Sequence, residues 1–245
     1  MADVSNLSRK DLHFVSPFFI VLILGLAFFA ESAVAEPSSS DPVTIRVDRL
    51  VQVETGGAVV ISDSVTLSAN RNATAEPLRN LVVGLPYAYQ GSLFYYFAYE
   101  DMGRLNIKAN VNLDGFYGID VQFREPLDLA QTGSYNFTVV YVLSGLVVLS
   151  GERFNVSFPQ YPILEREVDF CNLTVVLPPR TLYVNSSLQF DNRTIVKPQY
   201  SYQILNRTES NVQPFSNQTV LITFGHSGFP KVFLLIEVNR LERNI

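Results

Sequence analysis

Asparagines in the triplet Asn-x-Ser/Thr, the acceptor sequence for N-linked glycosylation, recur along this chain and are its main candidates for chemical modification. Nine of the 17 asparagines in this 245-residue chain stand in that triplet. The triplet at Asn6 precedes an N-terminal apolar segment and is expected on the cytoplasmic side, where it cannot be glycosylated. The remaining eight candidate sites are Asn72, Asn136, Asn155, Asn172, Asn185, Asn192, Asn206 and Asn217.

Two explanations of these triplets stay open. Asparagine is a poor strand former, so its repeated use in strand-like runs favours true acceptor sites whose glycans solubilise and shield a surface. A β protein whose outer faces consist of Asn, Ser and Thr would generate the same triplets incidentally. In the runs around Asn136, Asn155 and Asn172, alternation predicts that the asparagine points outwards and its apolar neighbours point inwards.

No catalytic, cofactor-binding or metal-binding residue is predicted. The stretch FGHSGFP around His226 departs from the nucleophile motif G-x-S-x-G at Phe229. Cys171, the single cysteine, lies in an alternating run and is predicted to be a buried apolar residue, with an intermolecular disulfide as the alternative. One cysteine and one suitable histidine do not make a zinc site.

Acidic and aromatic residues give two weaker candidates. Glu100 and Asp101, and farther along Asp114 and Asp120, could serve a carbohydrate-active hydrolase, which needs two carboxylates across a cleft. Turn roles for these residues are the simpler interpretation. The aromatic residues of LFYYFAYE (93–100) alternate poorly, so some of them are predicted to face solvent or a partner as a non-catalytic binding patch.

The N-terminus has the layout of a secretory signal peptide over residues 1–35. Arg9 and Lys10 precede the apolar run FFIVLILGLAFFA, and cleavage is predicted after Ala35. The apolar run is short for a membrane span, but an uncleaved N-terminal anchor stays an alternative. Either way the rest of the chain is expected to be exported, to the outer face of the cytoplasmic membrane, the endoplasmic reticulum lumen or the extracellular space.

Composition excludes some classes of partner. The balance of 18 basic and 23 acidic residues contains no run of like charge, which argues against a nucleic-acid partner. A single cysteine cannot form an intrachain disulfide. Stability outside the cell must therefore come from an apolar core, for which the 47% hydrophobic content is ample.

Period-two alternation predicts an all-β fold. VTIRVDRLVQV (43–53) is typical of a half-buried strand, and similar runs with turn signals between them recur along the chain, the last over 231–240. This spacing favours an antiparallel β-sandwich. A Pro-bounded linker (36–42) leads to the sandwich domain (43–158), and the proline-containing stretch SFPQYPILE predicts a junction to a second, smaller β domain (159–245). This second domain is either small in itself or the front part of a longer architecture.

The order of these features resembles the lumenal part of ribophorin I, and more closely its archaeal relatives. The resemblance is carried by VTIRVDRLVQVETGGAVVISDSVTL, FYGIDVQFREPL, VVYVLSGLV, the junction FPQYPILE and CNLTVVLPP. Ribophorin I is a non-catalytic subunit of oligosaccharyltransferase, in which another membrane-spanning subunit transfers the sugar. The resemblance implies β domains with no catalytic residues, followed in that family by a membrane helix that this sequence does not show.

The sequence therefore predicts a non-catalytic extracytoplasmic scaffold or interaction module without a cofactor. Its expected partner is a membrane protein, for which the resemblance suggests an oligosaccharyltransferase catalytic subunit, with membrane attachment through residues 1–35 if they are uncleaved. The alternative is an N-glycosylated cell-surface or adhesion protein, and the weaker alternative is the hydrolase.

Overall fold

A computed structural model describes residues 42–70, 76–197 and 201–226. The expected signal segment with Ala35, nearly all of the linker 36–42, the acceptor Asn72 and the strand expected over 231–240 lie outside the described residues. The all-β prediction is confirmed, because the described residues consist mainly of strands. None of the helices among them is both long and apolar enough to cross a membrane.

The described residues from 42 to 143 form eight strands. They are β1 (Val43–Val53), β2 (Val59–Ala69), β3 (Leu78–Leu85), β4 (Leu93–Glu100), β5 (Gly103–Arg104), β6 (Asn106–Leu113), β7 (Phe116–Leu127) and β8 (Ser134–Leu143). A 3₁₀ segment (Tyr87–Ser92) precedes β4, and the short helix α1 (Leu129–Thr132) precedes β8. Asp128 caps this helix, since its side chain accepts hydrogen bonds from the backbone N–H groups of Ala130 and Gln131.

The described residues from 147 to 226 form seven strands. They are β9 (Val147–Ser150), β10 (Arg153–Pro159), β11 (Val168–Val176), β12 (Thr181–Ser186), β13 (Asp191–Val196), β14 (Ser201–Val212) and β15 (Thr219–His226). Gly145, with a φ of 75°, lies between β8 and β9. The chain therefore breaks between these two strands at a positive φ, which glycine adopts without a steric penalty.

The strands form three sheets. The large sheet has the order β13-β14-β11-β1-β2-β8-β4-β5, the four-stranded sheet has the order β12-β15-β10-β9, and the three-stranded sheet has the order β3-β7-β6. All pairings are antiparallel except that of β1 with β11, which are parallel. The large sheet is thus mixed, where the sequence predicts an antiparallel fold.

The core lies between the sheets. Val43, Ile45 and Val47 alternate with exposed or half-buried residues along β1, so one face of the large sheet is buried and the other, here called the outer face, is not. Phe123 of β7 packs edge-on against Phe137 of β8, with ring centroids 5.6 Å apart. This contact joins the three-stranded sheet to the buried face of the large sheet.

One ion pair lies within this apolar core. Arg49 of β1 stands opposite Asp63 of β2. Its Nε and Nη2 donate to the two carboxylate oxygens over 2.6 and 2.7 Å, and its Nη1 donates to the carbonyl oxygen of Pro159 over 2.7 Å. Both charged side chains are fully buried. The third hydrogen bond connects the large sheet to β10 of the four-stranded sheet.

The predicted boundary between residues 158 and 159 lies inside β10, and strands from its two sides share sheets. β11 pairs with β1, and β15 pairs with β10. The described residues before and after the boundary therefore belong to one compact unit. The proline-containing stretch is buried at Tyr161, Ile163 and Leu164, because it crosses between sheets instead of linking two domains.

Candidate functional site: the outer face of the large sheet

Strand β4 places a row of aromatic side chains on the outer face. Tyr95 stands opposite Val142, Phe97 opposite Val140 and Tyr99 opposite Thr138. Successive side chains of a strand point to opposite faces, so Tyr96 and Ala98 turn towards the core. Tyr95, Phe97 and Tyr99, here called the aromatic ladder, have ring centroids 5.7 and 5.9 Å apart.

Two of the three residues of the aromatic ladder are exposed to solvent, and Phe97 between them is half-buried. Tyr95 and Tyr99 are 44% and 40% exposed, and Phe94 on the same strand is 72% exposed. The guanidinium group of Arg104 lies 5.3 Å from the centroid of the Phe97 ring, a distance typical of cation–π contact. The prediction that some aromatic residues of 93–100 face solvent is confirmed for Phe94, Tyr95 and Tyr99. On the side away from β8, β4 pairs only with the two residues of β5.

A depression of about 340 Å³ adjoins the ladder at Tyr99. It is lined by three residues of β2 and three of β8, and by three residues at the end of β4: Ser64, Val65, Thr66, Asn136, Phe137, Thr138, Tyr99, Glu100 and Asp101. The hydroxyl oxygens of Ser64 and Thr138 are 3.1 Å apart and share a hydrogen bond. The sequence alone does not indicate that residues of β2 and β8 meet here, because their proximity depends on the order of strands in the sheet.

Three candidate acceptors lie on strands of the large sheet with their side chains on the outer face: Asn136 on β8, Asn172 on β11 and Asn206 on β14. Asn136 is exposed, whereas the other two are half-buried. The triplets of Asn172 and Asn206 lie opposite each other on paired strands, since Asn172 stands opposite Thr208 and Thr174 stands opposite Asn206. The Thr174 hydroxyl donates to Asn206 Oδ1 over 2.9 Å, and Asn172 Nδ2 donates to Asp48 over 3.1 Å.

Two further acceptors lie on the four-stranded sheet. Asn155 of β10 and Asn185 of β12 both stand opposite Thr223 of the intervening strand β15. The Thr223 hydroxyl donates to Asn155 Oδ1 over 2.8 Å. Asn155 is half-buried, and Asn185 is exposed. Because neighbouring strands are about 4.8 Å apart, the two backbones are separated by roughly 10 Å.

The remaining described acceptors are peripheral. Asn192 is exposed on the edge strand β13, and Asn217 is exposed in the loop between β14 and β15. None of the seven described acceptor asparagines is buried. The outward orientation predicted for Asn136, Asn155 and Asn172 is confirmed, whereas glycan occupancy itself stays a prediction.

The acidic candidates are held in structural contacts. Glu100 accepts a hydrogen bond from the hydroxyl of Tyr135 and forms an ion pair with Arg124, whose Nε lies 2.7 Å from the carboxylate. Burial, together with Glu100, raises the pKa of Tyr135 above its ordinary value. Asp120 accepts from Asn80 Nδ2 over 2.6 Å. Asp114, with a φ of 43°, lies in the turn between β6 and β7.

The other candidates have the following places. Cys171 is buried, as predicted, and burial raises the pKa of its thiol to about 12. His226 ends β15, and the neighbouring Ser227 lies outside the described residues. Within ranges 42–70, 76–197 and 201–226, no group of three or more His, Cys, Asp or Glu side chains could hold a metal ion.

No protein-family model and no curated protein matches the chain. Among solved structures it is similar to an M1 zinc metallopeptidase from Deinococcus radiodurans, with 13% identity and a TM-score of 0.47 over 76% of this chain and 42% of that one. A mutant of that enzyme bound to a Tyr-Ser-Ala substrate gives 12% identity and a TM-score of 0.46, over 76% and 43%. The chain spans about two fifths of their length. Likeness at this level carries no argument about activity.

Proposed function

We propose that this chain is a non-catalytic extracytoplasmic interaction module that positions a membrane-protein partner through the outer face of its large sheet. The observation that carries the proposal is the solvent-exposed aromatic ladder. Aromatic side chains are enriched in protein interfaces and supply most of the binding energy where they cluster. Tyr and Phe are costly to leave in water, and here three of them adjoin on one exposed strand.

The surroundings of the ladder fit an interface. Val142 of β8 and Val60 of β2 continue the row that begins at Tyr95 across the sheet. Thr138 and Ser64 continue the row that begins at Tyr99. An apolar centre with a polar border on one side is the usual anatomy of a protein contact.

The partner class comes from the resemblance to ribophorin I, which suggests the sugar-transferring membrane subunit of an oligosaccharyltransferase. The test is a mild-detergent purification of the tagged full chain from its own membranes, beside the double variant Tyr95→Ser/Phe97→Ser. We expect the wild type to retain this subunit in stoichiometric amount and the double variant to lose it. The matched control is Tyr87→Ser, because Tyr87 is also exposed, at 47%, but lies in the 3₁₀ segment.

Recovery of this chain alone from membranes would contradict the proposed partner, and so would equal retention by the double variant. Both variants should keep the wild-type melting temperature, which separates a lost contact from a lost fold. The result would then favour the second candidate function, an N-glycosylated cell-surface or adhesion protein. The observation behind this second candidate is that all seven described acceptor asparagines reach the surface.

The third candidate class, a carbohydrate-active hydrolase, has less support. A general acid needs a carboxyl group that is free to exchange its proton with substrate. The carboxylate of Glu100 instead contacts Arg124 and Tyr135, which is a structural use of this residue.

A further inference from the structure

The depression beside the aromatic ladder has the chemistry of a sugar site. Its lining places the exposed aromatic residue Tyr99 beside the hydroxyl-bearing residues Ser64, Thr66 and Thr138 and beside Asp101. A pyranose offers an apolar C–H face to an aromatic ring and hydroxyl groups to such a border. The volume of about 340 Å³ lies at the lower end of the range of about 300–1,000 Å³ for small-molecule pockets.

The acceptor Asn136 is itself part of this lining. It stands opposite Thr66 on β2, and its neighbour two residues on, Thr138, stands opposite Tyr99 on β4. Asn136 and Tyr99 are therefore diagonal neighbours on the outer face, for which Cα separations of about 7–8 Å are usual. An aromatic side chain reaches across that distance to a group attached to the asparagine.

We propose that Asn136 is N-glycosylated and that the first sugar of its glycan lies in this depression against the ring of Tyr99. The inference rests on the export required by the proposed function. In the modification, a bond forms between Asn136 Nδ2 and the anomeric carbon of the sugar. The bond from that carbon to a lipid-linked pyrophosphate carrier breaks, and one amide proton leaves. The cell's own glycosylation machinery supplies this carrier.

Attachment explains why this sugar, and not a free one, occupies a shallow polar site. A tethered group binds at the effective concentration set by its short linkage, so a contact that is weak in solution is populated. Among the three acceptors on the outer face of the large sheet, Asn136 is exposed, while the side-chain amides of Asn172 and Asn206 are half-buried and hydrogen-bonded to Asp48 and Thr174. The docked sugar would border the ladder at Tyr99 and leave Tyr95 and Phe97 open to a partner.

The test uses the full chain secreted from a glycosylating eukaryotic cell. Native protein is treated with a peptide:N-glycosidase, and release is followed at each site by mass spectrometry of peptides. We expect release at Asn136 to be about five- to tenfold slower than at the exposed Asn185, since an aromatic contact of roughly 1–1.4 kcal/mol gives that factor. Denatured protein should lose both glycans at the same rate.

Tyr99→Ala should abolish the difference, Tyr99→Phe should keep it, and the exposed control Tyr87→Ala should leave it unchanged. A role of Asn136 that depends only on its position in the sheet would not respond to Tyr99. In proton NMR, the first sugar at Asn136 should show ring-current shifts that vanish in Tyr99→Ala. These readouts test the sugar contact and are independent of the partner purification described above.

An unoccupied Asn136 on a chain glycosylated at Asn185 and Asn217 would overturn the inference and leave the proposed function standing. Equal release rates in the native protein would do the same. A chain without glycans at any acceptor would overturn both the inference and the expected export. Binding of a free saccharide with no glycan at Asn136 would show that the depression serves another occupant.

Discussion

The two faces of the large sheet share the same strands but differ in composition, because one is buried in the core and the other faces solvent. The buried face consists mainly of Val, Ile, Leu and aromatic residues, with the ion pair Arg49–Asp63 among them. The outer face carries many Ser, Thr and Asn residues and a few valines, with the aromatic ladder at one side. Alternation alone separates the two sets of residues. Apolar burial, and the stability that comes from it, is therefore concentrated on the buried face, so the outer face is available for contacts with sugars or proteins.

The ion pair makes the buried face sensitive to small changes. Burial acts to lower the pKa of Arg49, but the carboxylate of Asp63 outweighs it and raises that pKa above its ordinary value. Burial and the charge of Asp63 also raise the pKa of Tyr141 well above its ordinary value. Two charges held out of water need each other, because removal of either leaves the partner uncompensated.

The largest expected effect comes from breaking this pair. Asp63→Ala leaves the guanidinium group of Arg49 buried with only the Pro159 carbonyl as a partner, and it should lower the free energy of unfolding by about 3–5 kcal/mol. Urea denaturation followed by circular dichroism measures the change. The matched control is Asp48→Ala on the outer face, which should cost less than about 1 kcal/mol.

The double variant Arg49→Met/Asp63→Ala sharpens this prediction. Removing both charges should restore part of the stability that Asp63→Ala loses, because an apolar pair leaves no buried charge. A double variant that is at least as unstable as Asp63→Ala would show that shape, and not charge, determines the cost.

A smaller effect is expected from alkaline pH, again on the buried face. The thiol of Cys171 has a folded-state pKa of about 12 against an ordinary value of 9.0. Above the ordinary value the unfolded thiol loses its proton while the folded thiol keeps it, so unfolding releases a proton. Stability should therefore fall with rising pH, by up to about 1.4 kcal/mol per pH unit from this group.

The measurement is the urea midpoint at about pH 8 and about pH 10, in wild type and Cys171→Ala. The variant should lose less stability across this interval, since it lacks the thiol. An equal loss in both proteins would assign the pH dependence to other groups. Tyr161 is one of these, because burial raises its pKa to about 12.

The smallest effect is expected on the outer face. Thr174→Val removes the hydroxyl that donates to Asn206 Oδ1, and cross-strand polar pairs contribute only about 0.2–1 kcal/mol. The measurement is thermal unfolding of unglycosylated protein, with Thr174→Ser as the control that keeps the hydroxyl. A loss of stability as large as that of Asp63→Ala would mean that contacts on the outer face contribute as much to the free energy of unfolding as those on the buried face.

Alternation allowed the strands and their faces to be predicted from the sequence. β1 begins and ends at the predicted residues, because its side-chain pattern is locally complete. The ion pair was missed although its signal is local. Arg49 lies in phase with Val47 and Val51, Asp63 lies in phase with Ile61 and Val65, and the connecting hairpin sets them opposite each other.

The sheet order could not be predicted, because it depends on contacts between distant residues. Nothing near Cys171 in sequence indicates that β11 lies parallel to β1, because their paired positions are separated by 124 residues. The depression at Asn136 depends on the same order, since it needs β2, β8 and β4 side by side. The predicted domain boundary failed to divide the strands for this reason: proline ends a strand locally but does not decide which sheet the next strand joins.

The parallel pairing of β1 with β11 has a consequence for folding during synthesis. A chain grows from its N-terminus at about 5–20 residues per second, so β1 and β2 are complete well before β11 exists. Until then, the edge of β1 that later pairs with β11 has unpaired backbone N–H and C=O groups next to an apolar face. Asn136 emerges in that same interval, while the chain around it is still extended. Because β11 is synthesised late, the part of the large sheet formed by β1 and β2 stays accessible for longer, both to chaperones and to enzymes that modify an unfolded acceptor.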